Sequence, residues 1–317
     1  MKLRVPLIIV AAFWVLAVIM WQSSGHLFYL FNFAYIGTSV GLGMGVYSFL
    51  PRNKKPWGRR LALFLVGGYM LGVLGLLARE NMQIEGFFYL LLAGVFAGAV
   101  MHYFVAKIFG PVLFGRAWCG WACWTAMVLD LLPFARSGGR LPARYGYIRY
   151  LHFALSLALI LVLWFIYDYR MDPWGKTSLY WLLAGNLFYY GAGIGLAFYL
   201  RDNRAFCKYL CPIAVLLKLS SRLSLLKIAG DPERCTNCGA CAKTCPMDIM
   251  IPQYILNRQR VLSTECIFCQ TCVNVCPQQT LALAWGFDPG GQDRLIFLPG
   301  VVPGSAAEDG TTTASQS

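Results

Sequence analysis

Cys235-Thr236-Asn237-Cys238-Gly239-Ala240-Cys241-Ala242-Lys243-Thr244-Cys245-Pro246 is the first of two runs that decide the fold. Cys266-Ile267-Phe268-Cys269-Gln270-Thr271-Cys272-Val273-Asn274-Val275-Cys276-Pro277 is the second. Both read C-x2-C-x2-C-x3-C-P. In this spacing three thiolates take one corner each of a cubic iron–sulfur cluster, and the fourth cysteine reaches the other cluster. Crossed ligation assigns Cys235, Cys238, Cys241 and Cys276 to one [4Fe-4S] cluster. It assigns Cys266, Cys269, Cys272 and Cys245 to the second. Zinc sites and disulfides fit less well, because zinc sites use two separated ligand pairs rather than a doubled four-cysteine run. Residues 229–287 are therefore expected to form a small α+β domain that carries electrons.

The rest of the 317-residue chain is of another kind. Hydrophobic residues make up 58% of it and charged residues only 13%, against about 25% charged in ordinary soluble domains. The class is a polytopic α-helical membrane protein with a soluble appendage. The formal net charge of +13 does not point to nucleic acid. The basic residues sit at the ends of apolar segments, as orientation in a bilayer requires, and not in a patch interleaved with aromatics. Eight of the twelve cysteines are absorbed by the ferredoxin motifs, and cluster thiolates need a reducing compartment.

A helix needs about 20 mostly apolar residues to cross a bilayer. Six segments qualify: 5–21, 27–50, 61–77, 87–106, 150–167 and 179–200. The first follows Lys2 and Arg4, lacks a clear cleavage site and reads as a retained helix. With these six spans, 20 Lys and Arg residues up to Arg234 fall on one side and only Arg79, Arg170 and Lys176 on the other. The positive-inside rule then places both termini and the ferredoxin domain in the cytoplasm, with the spans in a bacterial inner membrane. Residues 109–134 are also apolar, but a seventh span there would put the basic run 136–149 outside, so an interfacial or re-entrant helix is expected. Gly41-Leu42-Gly43-Met44-Gly45 lies inside a span with no preceding strand, and reads as close helix packing. The glycines of 94–98 and 191–195 read the same way. The expected domains are thus 1–206, membrane, with a loop at 110–149; 207–228, an amphipathic connector lying on the membrane; 229–287, ferredoxin; and 288–317, a disordered tail.

Four cysteines remain, in two matched pairs. Cys119 and Cys123 follow the fourth span, and Cys207 and Cys211 follow the sixth. Each pair is preceded by an arginine, Arg116 or Arg204. Two thiols at i and i+4 on a helix share a face, and nearby cations favour the thiolate. The pairs are candidates for redox dithiols or for an extra metal site. Small buried hydrophobes are the bland alternative.

Gly115-Arg116-Ala117-Trp118-Cys119-Gly120-Trp121-Ala122-Cys123 resembles the G-R-x-W-C-G-W-x-C-P signature of membrane polyferredoxins, and Phe206-Cys207-Lys208-Tyr209-Leu210-Cys211-Pro212 resembles its second copy. This is the family of the accessory proteins of periplasmic nitrate reductase (NapH) and nitrous oxide reductase (NosR), and of the CcoG-type oxidase assembly proteins. The resemblance runs from about Phe87 to Pro277. Trp124 stands where the family has proline, the six-span count exceeds the four of the NapH type, and the flavin-binding domain of NosR is lacking. The resemblance implies electron passage between the quinone pool and a reductase, or support of its assembly.

Of the three histidines, His102 and His152 fall late in the fourth span and early in the fifth. One of them is a candidate for a quinone site. A bis-histidine haem b is the less favoured use, and a hydrogen-bonded interfacial residue is the plain one. Glu80, Glu85, Asp168 and Asp172 read as solvated loop charges. No nucleophile–base pair, phosphate loop or paired catalytic carboxylates are apparent, so a stand-alone enzyme is not expected. The favoured function is an iron–sulfur relay between membrane quinone and a redox partner. The alternative is a maturation factor whose C-x3-C thiols serve a respiratory metalloenzyme.

Overall fold

The computed structural model describes residues 3–96 and 98–298. Five of its helices are long and apolar enough to cross a membrane: Arg4–Ser24, Leu27–Phe49, Lys55–Leu77, Ala143–Phe165 and Lys176–Leu200. A shorter apolar helix, Ala99–Phe114, lies between the third and fourth of these. The glycine run packs helices, as expected. A Cβ on Gly41 would stand 2.2 Å from the Val10 side chain, and one on Gly43 would stand 2.5 Å from that of Ala62. The second helix can therefore approach both the first and the third closely.

The span expected at 87–106 is not continuous. A short helix, Ile84–Leu92, ends in a turn where Gly94 and Gly98 have φ of +69° and +50°. These two glycines supply left-handed backbone rather than a packing face. The chain then reverses into Ala99–Phe114, and Phe87 stacks on Tyr103 at 4.4 Å between ring centroids. Ala99–Phe114 rises about 24 Å at 1.5 Å per residue, somewhat less than a hydrocarbon core of about 30 Å. The irregular backbone before Ile84 is covered by protein, as a bilayer demands. Gln83 donates to the Leu182 carbonyl, and its own N–H is accepted by the Asn81 side chain. The six expected crossings thus become five long helices and one short helix preceded by a re-entrant turn. Residues 109–134 add no seventh span. After Phe114 they form two short helices, Ala117–Trp121 and Trp124–Leu129.

The connector contains a helix, Ile213–Ser221, one face of which is buried in the protein. Ile213, Ala214 and Leu217 are buried, and the helix packs against Ala99–Phe114 and Ala143–Phe165. A strand β1 follows at Leu226–Gly230, crossing the boundary expected at residue 229. It pairs antiparallel with β2, Leu281–Trp285, in the register Leu226↔Trp285 to Gly230↔Leu281. The two strands close the small domain from both ends. Between them lie the cysteine runs and the short helices Ala240–Lys243, Ile251–Leu256 and Thr271–Val275.

Residues 288–298, expected as disordered, form a strap across this domain. Asp288 pairs with Lys227 at 2.5 Å and with Arg260 at 2.6 Å. Ile249 bridges Leu295, and Arg140 bridges Phe297. Ion pairs of Asp288 at one end and of Asp293 in the middle, with backbone bridges at the other end, hold the segment in place. The remainder of the expected tail, 299–317, lies outside the described residues.

Candidate functional site

The two C-x3-C loops are built alike. Arg116 precedes the five-residue helix Ala117–Trp121, which carries Cys119; Cys123 follows its end. Arg204 precedes Ala205–Tyr209, which carries Cys207; Cys211 follows. In both loops a new helix begins after the second cysteine. Pro212 caps Ile213–Ser221, and Trp124 opens Trp124–Leu129. Proline is thus dispensable at the first site, where the Trp124 indole is buried and donates to Asn186 at 3.1 Å.

The loops face each other. Cys119, Cys123, Cys207 and Cys211 line one cavity together with Lys107, Arg116 and Arg204. The Arg204 guanidinium ties the loops by donating to the Cys119 carbonyl at 3.1 Å and reaching Cys207 Sγ at 3.9 Å. Asp130 fixes this arginine at 2.6 Å and Arg59 at 2.5 Å, and Arg59 also donates to the Gly120 carbonyl. Burial pushes the Cys207 thiol up to about 11, with Arg204 drawing it partly back. Four thiols around one cavity with three cations suit a thiolate-held cluster, whose net negative charge the cations offset. Among the described residues, no three of His, Cys, Asp and Glu converge closely enough to hold a single metal ion.

The eight ferredoxin cysteines lie in the C-terminal domain. Cys235, Cys238, Cys241 and Cys276 line one cavity. Burial pushes the Cys272 thiol up, and the neighbouring thiols Cys269, Cys266 and Cys245, with Cys241 of the other set, add to it, so the two sets are neighbours. Burial raises Cys245 and Cys266 to about 12. Loading these thiols therefore means displacing protons, as thiolate metal sites do. Cys276 differs: half-buried, it is raised by burial but held below the ordinary thiol value by the Thr280 hydroxyl and nearby N–H groups. Cys238 is exposed, which puts the first set at the surface.

The second set touches the C-x3-C loops. A Cβ on Gly120 would stand 2.2 Å from the Ile267 carbonyl oxygen. The neighbouring Trp121 indole donates to the Phe268 carbonyl at 2.9 Å. Ile267 and Phe268 are the two residues between Cys266 and Cys269, so the loop that carries Cys119 packs directly on the second ferredoxin set.

Glu265, which the motif reading passed over, holds this contact together. It is 1% exposed and takes Arg116 at 2.8 Å, Arg149 at 3.0 Å, Arg140 at 3.1 Å and Lys218 at 2.6 Å. Burial opposes its charge, but the cations of Arg140, Arg149, Arg116 and Lys218 outweigh that and keep its carboxyl well below the usual range. A second anchor, Lys208, is fully buried between Asp202 and Asp248 of the ferredoxin domain. Tyr47 of the second span accepts a hydrogen bond from Asn274 at 2.6 Å. The basic loop residues that argued for orientation therefore also grip the domain. The sequence signal was a lone acid beside Cys266 facing a surplus of arginines.

The two histidines part company. His152 Nδ1 lies 2.7 Å from the Leu210 carbonyl, beside Cys211, which is the ordinary hydrogen-bonded role. His102 lines a different, apolar cavity together with Trp118, to which His152 does not contribute. Glu85, expected to be solvated, accepts a hydrogen bond from Ser156 at 2.8 Å.

Comparison with known proteins agrees with this arrangement. A family described as a 4Fe-4S dicluster domain matches residues 227–277. A second, described as a 4Fe-4S binding domain, matches residues 88–137 and 187–229, which contain both C-x3-C pairs. YccM of Escherichia coli (strain K12), whose name marks it provisionally as an electron transport protein, is 29% identical over 195 residues, covering 56% of this chain and 54% of YccM. The ferredoxin-type protein NapH of Haemophilus influenzae is 27% identical over 203 residues, covering 59% of this chain and 69% of NapH. The methylamine utilization ferredoxin-type protein MauN of Paracoccus denitrificans is 30% identical over 192 residues, covering 56% of this chain and 63% of MauN. The chain thus spans about half the length of YccM. No solved structure matches. The chain is thus similar to ferredoxin-type and electron transport proteins, and it carries matches to two 4Fe-4S families.

Proposed function

We propose that the chain relays electrons between a quinone in the bilayer and a redox partner beyond it, with its cysteines holding three iron–sulfur groups. Cys235, Cys238, Cys241 and Cys276 hold one [4Fe-4S] cluster; Cys266, Cys269, Cys272 and Cys245 hold the second. Cys119, Cys123, Cys207 and Cys211 hold a third. When bound, such groups take up and release single electrons. The protein's part is to order and tune them. The carrying observation is that order: an apolar cavity against Trp118, then the four-thiol cavity beginning at Cys119, then the Ile267–Phe268 loop against Gly120, then exposed Cys238. Lys107, Arg116 and Arg204 offset negative charge at the middle station. Exposed Cys238 marks where a partner docks. The excess of basic residues on the ferredoxin side supports a cytoplasmic location for that domain and an inner-membrane setting for the helices.

The maturation reading has less support. Thiols that serve a client protein must be reached by it, whereas Cys119 and Cys207 are buried and all four thiols face one internal cavity. Iron analysis and EPR of the anaerobically reduced protein test the proposal. The wild type should contain one cluster more than the Cys119/Cys123/Cys207/Cys211→Ser variant. Equal iron in both, with unchanged spectra, removes the third site.

A further inference from the structure

The apolar cavity carries the polar groups of a ring-shaped, two-oxygen ligand. It measures about 370 Å³ and lies between the first, second and third spans and Ala99–Phe114, within the roughly 300–1,000 Å³ of small-molecule sites. Its walls are mainly Phe, Leu and Met, yet four buried polar atoms on its lining residues have no hydrogen-bond partner: Asn32 Oδ1, Glu80 Oε2, His102 Nε2 and Trp118 Nε1. Buried polar groups are nearly always satisfied, so four orphans around one space indicate a missing partner. Both π-helical stretches among the described residues, Tyr69–Leu77 and Phe104–Phe109, contribute lining residues: Met70 and Leu74 from one, Val105, Ala106 and Phe109 from the other. Such wide turns recur at functional sites. Phe28, Phe109 and Leu113 line the cavity and are also exposed, so it opens towards lipid.

We propose that this cavity binds the head group of a quinone or quinol, an assignment that rests on the relay reading and gives it its membrane end. The ligand class follows from the chemistry of the walls. Trp118 Nε1–H can only donate, and an imidazole nitrogen can do so, which suits carbonyl oxygens. Carboxylate and amide oxygens at Glu80 and Asn32 suit hydroxyl hydrogens. A para-quinone presents two carbonyls across a flat ring, its quinol two hydroxyls, and its apolar tail leaves through the Phe28–Phe109 mouth. A phospholipid acyl chain would satisfy none of the four orphans.

The position fits the relay as well. The His102 and Trp118 rings meet edge to face at 5.0 Å, and Lys107 Nζ lies 4.5 Å over the Trp118 ring. Lys107 also lines the four-thiol cavity, and Cys119 follows Trp118 in the chain. Lys107, set over Trp118 of the ring pocket, thus joins that pocket's wall to the lining of the four-thiol cavity.

The test uses the full chain in nanodiscs of defined phospholipid, photolabelled with a short-tailed azidobenzoquinone and mapped by mass spectrometry. Label is expected on Ala99–Phe114 and Leu27–Phe49, displaced by excess decylubiquinone but not by excess phospholipid. His102→Leu removes a hydrogen-bond partner, and Ala12→Phe fills the cavity from an exposed position on the first span. Each should lower labelling about tenfold at subsaturating probe, as loss of a buried hydrogen bond or of the space itself implies. Label elsewhere, full labelling in both variants, or displacement by phospholipid overturns the assignment. Reoxidation of the reduced clusters by quinone, measured separately, judges the relay. Its absence in wild type defeats the relay wherever the label lies. Its persistence at full rate in both variants defeats this site alone.

Discussion

Replacing Glu265 by glutamine tests how the ferredoxin domain is held against the membrane helices. The side chain keeps its shape and loses its charge, while Arg116, Arg140, Arg149 and Lys218 stay within about 3 Å of it. Three of these cations have side chains at most 6% exposed, so water cannot replace the lost anion. Lys218 alone keeps another acid, Asp293 at 3.1 Å. Removing one partner of a buried ion pair typically costs about 3–5 kcal/mol. Docking should therefore weaken by that amount, or roughly a hundred- to several-thousand-fold in the opening equilibrium. Native-state hydrogen exchange reads it directly. The backbone bonds Leu225 N–H to Val112 O and Arg140 N–H to Ile296 O join the two parts, and their amides should lose protection to that extent. Amides inside Lys176–Leu200 should not change. As a control, Glu233 pairs with Arg258 at 3.6 Å on the surface, both more than three-quarters exposed, and Glu233→Gln should change nothing measurable. Unchanged protection of Leu225 and Arg140 in Glu265→Gln refutes the idea that this carboxylate holds the domain. The pH dependence has a definite sign. The Glu265 carboxyl is depressed in the folded protein, so its contribution is complete above the ordinary glutamate range of about 4.3 and is lost only as pH falls below it. Docking should be flat from pH 6 to 8 in wild type.

Gly120→Ala drives a methyl group against the Ile267 carbonyl; it should separate the C-x3-C loop from the second ferredoxin set, slowing electron exchange with quinone while leaving the iron content intact. Lys208→Met leaves Asp202 and Asp248 buried without their cation and should cost about 3–5 kcal/mol, read as earlier proteolysis of the linker around Ser221. Cys238→Ser alters the exposed set and should change the EPR signal of one cluster and the rate of reaction with a soluble acceptor, without altering quinone photolabelling. An unchanged soluble-acceptor rate would place partner docking elsewhere.

The cysteine spacings made the ferredoxin domain legible from the sequence, because ligand order in that motif is dictated by the shape of the cluster. The long apolar helices were legible for a similar reason, since bilayer thickness sets their length. Other features depended on contacts that local patterns do not encode. The break at Gly94 and Gly98 lies within an unbroken apolar stretch, and nothing in hydropathy separates a turn covered by protein from a continuous span. The strap at 288–298 reads as polar and Gly-rich, and its order comes from Lys227, Arg260 and Lys218, which are distant in sequence. Glu265 belongs to no motif and acquires meaning only when arginines more than a hundred residues away surround it. The matched arginines ahead of Cys119 and Cys207 marked both pairs as candidates, but that the two pairs line one cavity is a tertiary fact. His102 and His152 looked equivalent by depth and differ by which wall each faces.

The central claim is that the C-x3-C cysteines lie on the path between the membrane cavity and the ferredoxin clusters. The most direct measurement reduces the purified protein anaerobically, removes the reductant, adds a short-tailed quinone, and follows cluster reoxidation by rapid-freeze EPR. Wild type is compared with the Cys119/Cys123/Cys207/Cys211→Ser variant. The account predicts rapid reoxidation in wild type and a large loss of rate in the variant, with the spectra of the two ferredoxin clusters retained. Equal rates in the two proteins would contradict it.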